Sequence, residues 1–232
     1  MPVRESRHDP NIGNINGWFP SRKMGFPIPF ESYLEYCCIM IFEFLTVVSS
    51  YDVQPFSTHY QHPETKRKRK YTPDIEALIL GDDTPHIIEV KPLALLDMEK
   101  YAPISKHIVS DLDMRFAFIT DYDVLDRNLL SNVFDLHYHS RYAVSEMVQE
   151  GYEEALANRC LTIGELAYQI LPKHPEKAFA SILRLMWDGR IGCDIKSEEP
   201  FTSQTPIWLA KDSDVLERDK NVFTQICSSE KI

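Results

Sequence analysis

From Glu31 to Leu45 the apolar positions Leu34, Cys37, Cys38, Met40, Ile41, Phe44 and Leu45 recur at helical spacing. A largely buried helix is expected there, with Pro27 and Pro29 holding off its start until Phe30. The period then shortens. Tyr51 to Tyr60 reads as a strand bent at Pro55, and His62-Pro63-Glu64-Thr65 as a turn. Lys68 to Leu80 reads as a second strand, alternating through Ile75, Ala77 and Ile79. Gly81-Asp82-Asp83 turns the chain into a short apolar strand, His86 to Val90, which Pro92 closes. This order predicts an antiparallel meander. A helix over Met98 to Val109, a buried strand over Arg115 to Thr120, a helix near Val124–Leu130 and a short strand at Val133–Leu136 would complete a mixed α/β core.

Beyond Tyr142 the pattern changes. A helix runs through Ala157, and a second begins at Thr162, an N-cap with Glu165 three residues on. A third spans Glu176 to Trp187 with Phe179, Ile182, Leu183, Leu185 and Met186 as its apolar face, stopped by Asp188-Gly189. Arg190 to Ile195 and Thr205 to Leu209 read as two short strands, so the segment resembles a winged helix. The expected organisation is an arm at 1–28, an α/β domain at 29–141, a winged-helix-like α+β domain at 142–210 and a flexible polar tail at 211–232.

Composition narrows the classes. Hydrophobic residues make up 44% of the 232, enough for a proper core, while no apolar run approaches a membrane span. The N-terminal MPVRESRHDP lacks the apolar region of a signal peptide, and no C-x-x-C pair occurs among the five cysteines. The lack of a C-x-x-C pair argues against zinc, and an odd cysteine count without a disulfide framework suits a reducing cytosol. Adjacent Cys37 and Cys38 read as small buried hydrophobes. The formal charge of −10 excludes a generic nucleic-acid coat. Basic charge is instead concentrated in Lys66-Arg67-Lys68-Arg69-Lys70, which points to local contact with DNA phosphates.

That run ends just before Pro73-Asp74, and Glu89-Val90-Lys91 follows fifteen residues after Asp74. On a strand Glu89 and Lys91 face the same way. Two carboxylates on neighbouring strands suit a hard cation such as Mg2+, with Mn2+ able to substitute, and a lysine beside them suits a phosphodiester. The segment around Glu89 is otherwise apolar, so its charges need partners. Glu35, interrupting the apolar face of the first helix, is a further acid, whereas Glu31 sits where a helix start favours an acid for its own sake. Gln54 is a candidate for ordering a water. Lys106, His107, His137 and His139 read as surface or structural residues.

Four separated motifs occur in a fixed order: Leu34-Glu35 with Glu43-Phe44, then Val53-Gln54-Pro55, then Tyr71-Thr72-Pro73-Asp74, then Ile87-Ile88-Glu89-Val90-Lys91-Pro92. Together they resemble the TnsA endonuclease subunit of heteromeric transposases, within the PD-(D/E)XK nucleases; the likeness covers roughly residues 25 to 140. It implies a restriction-endonuclease-like mixed sheet flanked by helices, with catalytic Glu35, Asp74, Glu89 and Lys91, the three acids binding metal. It also implies cleavage of the 5′ strands at transposon ends in double-stranded DNA. The implied partners are a DDE transposase, TnsB, which cuts and joins the 3′ ends, and an AAA+ regulator, TnsC, reached through the C-terminal region. The setting implied is bacterial, cytoplasmic and nucleoid-associated, away from any membrane. Two other readings stay open on the residues alone: a stand-alone restriction or repair nuclease, and a non-enzymatic winged-helix adaptor. Lys173, Lys177, Arg184 and Arg190 are opposed by acids, which favours protein contact over DNA readout for the C-terminal segment.

Overall fold

Ser32 starts the first helix, α1 (Tyr33–Phe44), by accepting the Glu35 N–H on its hydroxyl. The helix is buried from Cys37 to Phe44, as its apolar stripe predicts. The structure, a computed structural model, describes residues 15–125, 127–197 and 200–227. The chain divides into two units, Met1–Val124 with Phe223–Ile232, and Leu125–Val222.

In the first unit the expected arm is a hairpin from Gly17 on, β1 (Gly17–Pro20) against β2 (Pro27–Phe30); residues 1–14 lie outside the described residues. The hairpin turn is locked onto α1 by Glu43, which is 7% exposed. One oxygen of Glu43 accepts the Ser21 and Tyr51 hydroxyls at 2.7 and 2.9 Å. The other accepts the Arg22 and Lys23 N–H groups at 2.6 and 2.8 Å. Lys23 then donates its ammonium to the Phe42, Leu45 and Val48 carbonyls. Those are carbonyls at and just beyond the end of α1, where a cation is favoured by the helix dipole.

The meander is present but subdivided. The segment read as one strand over Tyr51 to Tyr60 is two: β3 (Val48–Val53) and β4 (Thr58–Gln61). Lys68 to Leu80 likewise splits into β5 (Lys68–Tyr71) and β6 (Ile75–Ile79), because Pro73 cannot donate to a ladder. The strands β4 and β5 form a separate two-stranded ribbon. The main sheet has the order β3-β6-β7-β8, with β7 (Asp82–Val90) antiparallel to β6 and parallel to β8 (Arg115–Ile119). Gly81, at φ 82, makes the β6–β7 turn that a residue with a Cβ would strain. Between β7 and β8 the helix α2 (Met98–Asp111) buries Tyr101, Ile104 and Ile108. These pack with Ile87, Phe116 and Phe118 from the sheet and Tyr60 and Tyr71 from the ribbon. A short helix α3 (Asp121–Val124) follows β8. The result is a mixed α/β unit with a mixed sheet flanked by helices.

In the second unit, α4 (Arg127–His139) runs through the segment expected to be a strand at Val133–Leu136. Leu129, Leu130, Val133 and Leu136 are buried at helical spacing, so the longer period wins over a local apolar run. The helix packs on α7 (Pro175–Trp187), and residues 125–141 therefore fall with the second unit rather than the first. After α5 (Glu146–Leu156) come β9 (Leu161–Thr162) and α6 (Ile163–Ile170). The capping box of Thr162 and Glu165 is formed in both directions. Two further strands, β10 (Ile191–Gly192) and β11 (Pro206–Leu209), complete a sheet of order β10-β11-β9. Within the segment read as a flexible tail, residues 212–226 form a helix, α8 (Asp212–Ile226), whose residues from Phe223 on belong to the first unit; residues 228–232 lie outside the described residues. Val215, Val222, Phe223 and Ile226 are buried, an apolar face that the surrounding charged residues obscure in the sequence. Among the described residues, no helix is long and apolar enough to cross a membrane.

Glu43→Ala leaves several buried donors unmatched. A loss of about 3 kcal/mol or more is expected in urea unfolding of the full chain, against about half that for Glu43→Gln, which keeps an acceptor.

Candidate active site

The ribbon ends at Tyr71, and beyond Pro73 the Asp74 side chain serves as an acceptor where a ladder carbonyl would otherwise stand. Asp74 Oδ2 accepts the Val90 N–H at 2.9 Å, at the end of β7. The Asp74 carbonyl accepts the Gln54 N–H at 2.9 Å from the end of β3. Gln54 sits at φ 51, in the left-handed region, where the chain leaves the sheet. Asp74 is thus fixed between two strands.

Ile75 pairs with Ile88 in register, and Glu89 with Phe118. Glu89 and Lys91 therefore lie on the α2 face of the sheet, with Val90 on the other. Lys91 Nζ stands 3.2 Å from Asp74 Oδ2 and 3.3 Å from Glu89 Oε1. Its backbone N–H donates to Ile119 O at 3.0 Å. Just beyond, Asp121 Oδ1 takes the Leu93 N–H at 2.7 Å and holds the exit of the chain. Three of the four candidate catalytic residues, Asp74, Glu89 and Lys91, are brought together.

The two carboxylates differ in their surroundings. Glu89 is 4% exposed, and both its oxygens are held by phenols: Oε2 by Tyr71 OH at 2.7 Å, Oε1 by Tyr101 OH at 2.6 Å. Asp74 Oδ1 has no protein donor among the described residues. Burial pushes the Asp74 carboxyl up to about 7, reinforced by Glu89 and Glu35 and opposed by Lys91 and the Val90 N–H. Lys91 would be lowered by its burial, but Asp74 and Glu89 together raise it, so the ammonium persists. An ion pair alone would depress Asp74; one ammonium shared between two carboxylates leaves excess negative charge, and the proton is held more tightly.

Glu35 is close enough to feel Lys91 and Asp74, and burial raises its carboxyl. Its oxygens are nevertheless turned to the start of its own helix. Oε2 accepts the Glu31 N–H at 2.8 Å, and Oε1 the Ser32 hydroxyl at 3.1 Å. Among the described residues, no three His, Cys, Asp or Glu side chains form a group that could hold a metal ion. The donor chemistry still suits a hard cation in part: Asp74 offers one uncommitted oxygen beside excess negative charge. Glu89 has three of its roughly four acceptor positions taken by Tyr71, Tyr101 and Lys91, so it offers a cation less than Asp74 does.

The basic run lies on the ribbon, and Lys66 to Lys70 are all exposed. His59 pairs with Lys70 and Gln61 with Lys68, so these four share the outer face. Arg69 pairs with Tyr60 on the inner face, while Lys66 and Arg67 form the turn end. His107 bridges the ribbon to α2: Nε2 lies 2.9 Å from Thr58 Oγ1 and Nδ1 2.7 Å from Asp111 Oδ2. His137 packs edge-on against Trp187. Lys106 is exposed.

The site residues that sequence reasoning missed are Tyr71 and Tyr101. Tyr71 adjoins the Pro73-Asp74 motif, which is a signal of sorts. Tyr101 looks only like part of the apolar face it shares with Ile104 and Ile108. No protein-family model matches this chain, and no curated protein matches its sequence.

The folded state keeps the Asp74 proton up to about pH 7, while an ordinary aspartate loses it near 3.8. Across that interval the folded state is the more protonated, so this group's contribution to stability falls as pH rises. Asp74→Asn is therefore expected to raise the melting temperature at pH 8, with the advantage shrinking as pH falls through 7 towards 4. Added Mg2+ should stabilise the wild type at pH 8 and not the variant. Thermal melts across the pH series check both.

Proposed function

We propose that this chain is a metal-dependent DNA endonuclease of the PD-(D/E)XK kind, working as the TnsA-like subunit of a heteromeric transposase. The observation that carries the proposal is the meeting of Asp74, Glu89 and Lys91 where β6 begins and β7 ends. Their spacing matches the motifs of that family, and the mixed sheet with α1 and α2 is compatible with a restriction-endonuclease-like core. In the second unit, α6 and α7 followed by β10 and β11, which pair in one small sheet with β9 from before α6, are compatible with a winged helix.

Asp74 would hold a divalent cation, Mg2+ or Mn2+, and Glu35 would join it as the second carboxylate on giving up its bonds to the Glu31 N–H and the Ser32 hydroxyl. A cation there supplies Lewis-acid polarisation of the phosphate and a water of lowered pKa. Lys91 brings its ammonium to the developing charge on the phosphate oxygens, and Glu89 holds that ammonium in place. Water oxygen bonds to phosphorus, the bond from phosphorus to the 3′ oxygen breaks, and that oxygen takes up a proton. The products are a 5′-phosphate and a 3′-hydroxyl. Gln54, whose backbone N–H is held by the Asp74 carbonyl, would serve as an auxiliary for the attacking water.

The exposed ribbon run supplies phosphate contacts that position the duplex without reading sequence. With a net charge of −10, the rest of the molecule adds little attraction for DNA. That favours presentation of the transposon end by partners: a DDE transposase of the TnsB type and an AAA+ regulator of the TnsC type, the latter through the second unit. The protein would then act in the bacterial cytoplasm at the nucleoid.

Asp74→Ala and Lys91→Ala are each expected to lower 5′-strand cleavage by about 100-fold or more in a reaction reconstituted with the partner proteins. Assembly with those partners should persist. Undiminished cleavage by both variants would sink the assignment. Converting Lys68 and Lys70 to Gln should reduce the slope of log affinity against log salt by about 2 units, read by DNA-binding titrations.

A further inference from the structure

Glu89 is the most deeply buried acid at this site, and a buried carboxylate needs its lone pairs filled. Two donors come from elements remote in sequence: Tyr71, the last residue of the ribbon strand β5, and Tyr101, in the first turn of α2. The third is the Lys91 ammonium at 3.3 Å. Both rings are fixed before they donate. Tyr71 and Tyr101 are 8% and 3% exposed within one apolar cluster. Tyr101 meets Phe118 edge-on, with ring centroids 5.2 Å apart. Its outer face is covered by the Lys100 ammonium, 4.6 Å from the ring centre.

The consequence is geometric. A lysine has four rotatable carbons, and an ammonium gains nothing in direction from a single carboxylate free to swing. Here the carboxylate cannot swing, because each oxygen is tied to a different wall. Lys91 is therefore docked between a rigid Glu89 and an Asp74 that is itself pinned by Val90 N–H.

We infer that Tyr71 and Tyr101 are positioning residues that immobilise Glu89 through their hydroxyls, so that Glu89 serves to aim Lys91 and not to ligate a cation. This rests on the proposed role of Lys91 for its meaning in catalysis, but the docking of Lys91 stands independently of it. The arrangement also joins the ribbon, α2 and the sheet at one carboxylate, so that the element bearing the basic run and the element bearing the lysine share a fixed point.

The test uses Tyr71→Phe and Tyr101→Phe in the full chain, each removing one hydroxyl and keeping the ring. Lys91 acetylation by an amine-reactive ester is measured by mass spectrometry as a ratio to the exposed Lys66 of the same molecule, with a thermal melt recorded for each variant. Each variant is expected to raise the ratio at least about threefold, and Glu89→Gln to raise it similarly, as the ammonium loses its fixed partner. Tyr60→Phe, in the same cluster, controls for loosening of the core and should leave the ratio unchanged. An unchanged ratio in both folded tyrosine variants overturns the inference. So does an equal rise in Tyr60→Phe. If one variant fails to fold, the other decides. In the reconstituted cleavage reaction, Tyr101→Phe should lower kcat with KM for DNA unchanged. Absence of cleavage by the wild type would instead count against the nuclease reading and leave the acetylation result standing.

Discussion

The arrangement of the first unit turns on one hydrogen bond between a side chain and the main chain: Asp74 Oδ2 accepting the Val90 N–H. Proline at 73 cannot donate to a ladder, so β6 begins only at Ile75 while β7 continues to Val90. The gap leaves an amide that needs an acceptor inside a covered sheet. The Asp74 carboxylate fills it, and in doing so is placed beside the residues that follow along β7. The same residue holds the end of β3 through its carbonyl, by way of Gln54. A requirement of backbone satisfaction thus becomes a requirement on where the acids and the lysine stand.

From there the electrostatics follow. Two carboxylates and one ammonium leave net negative charge in a partly buried place, which is costly unless a proton or a cation joins them. The chain divides the two acids between two tasks. Glu89 is satisfied from within by phenols and the lysine; Asp74 keeps one oxygen without a protein donor among the described residues, and burial pushes its carboxyl up to about 7. Glu35 is near in charge but is tied to the first turn of its own helix through Glu31 N–H and the Ser32 hydroxyl. An acid at that position therefore stabilises the helix start in this state, and recruiting it to a cation would require giving up those bonds.

Glu43 shows how closely stability and site are interleaved. It was notable in the sequence as part of the motif shared with Glu35, yet its four hydrogen bonds all serve to fasten the hairpin and Tyr51 to α1. Its place in the motif is explained by holding the helix that carries Glu35 rather than by chemistry of its own. Lys23 completes the fastening at the same, C-terminal end of that helix.

The sequence by itself determined the elements whose periodicity is strong and local. These are α1, the β6–β7 hairpin, the β8 strand, and the Thr162 capping box with the helices around it, along with the pairing of Glu89 and Lys91 on one face. It misread stretches where two signals compete. Val133–Leu136 looks like a strand until the full helical face of α4 is counted, and the charged tail hides the buried stripe of α8. Only the tertiary structure decided that the ribbon breaks away from the sheet, that Glu35 caps its helix, and that Tyr71 and Tyr101 converge on Glu89. Periodicity is set by neighbours a few residues apart, whereas a carboxylate's partners come from wherever the chain returns. For Glu89 they come from residues 71, 91 and 101, carried by three different elements.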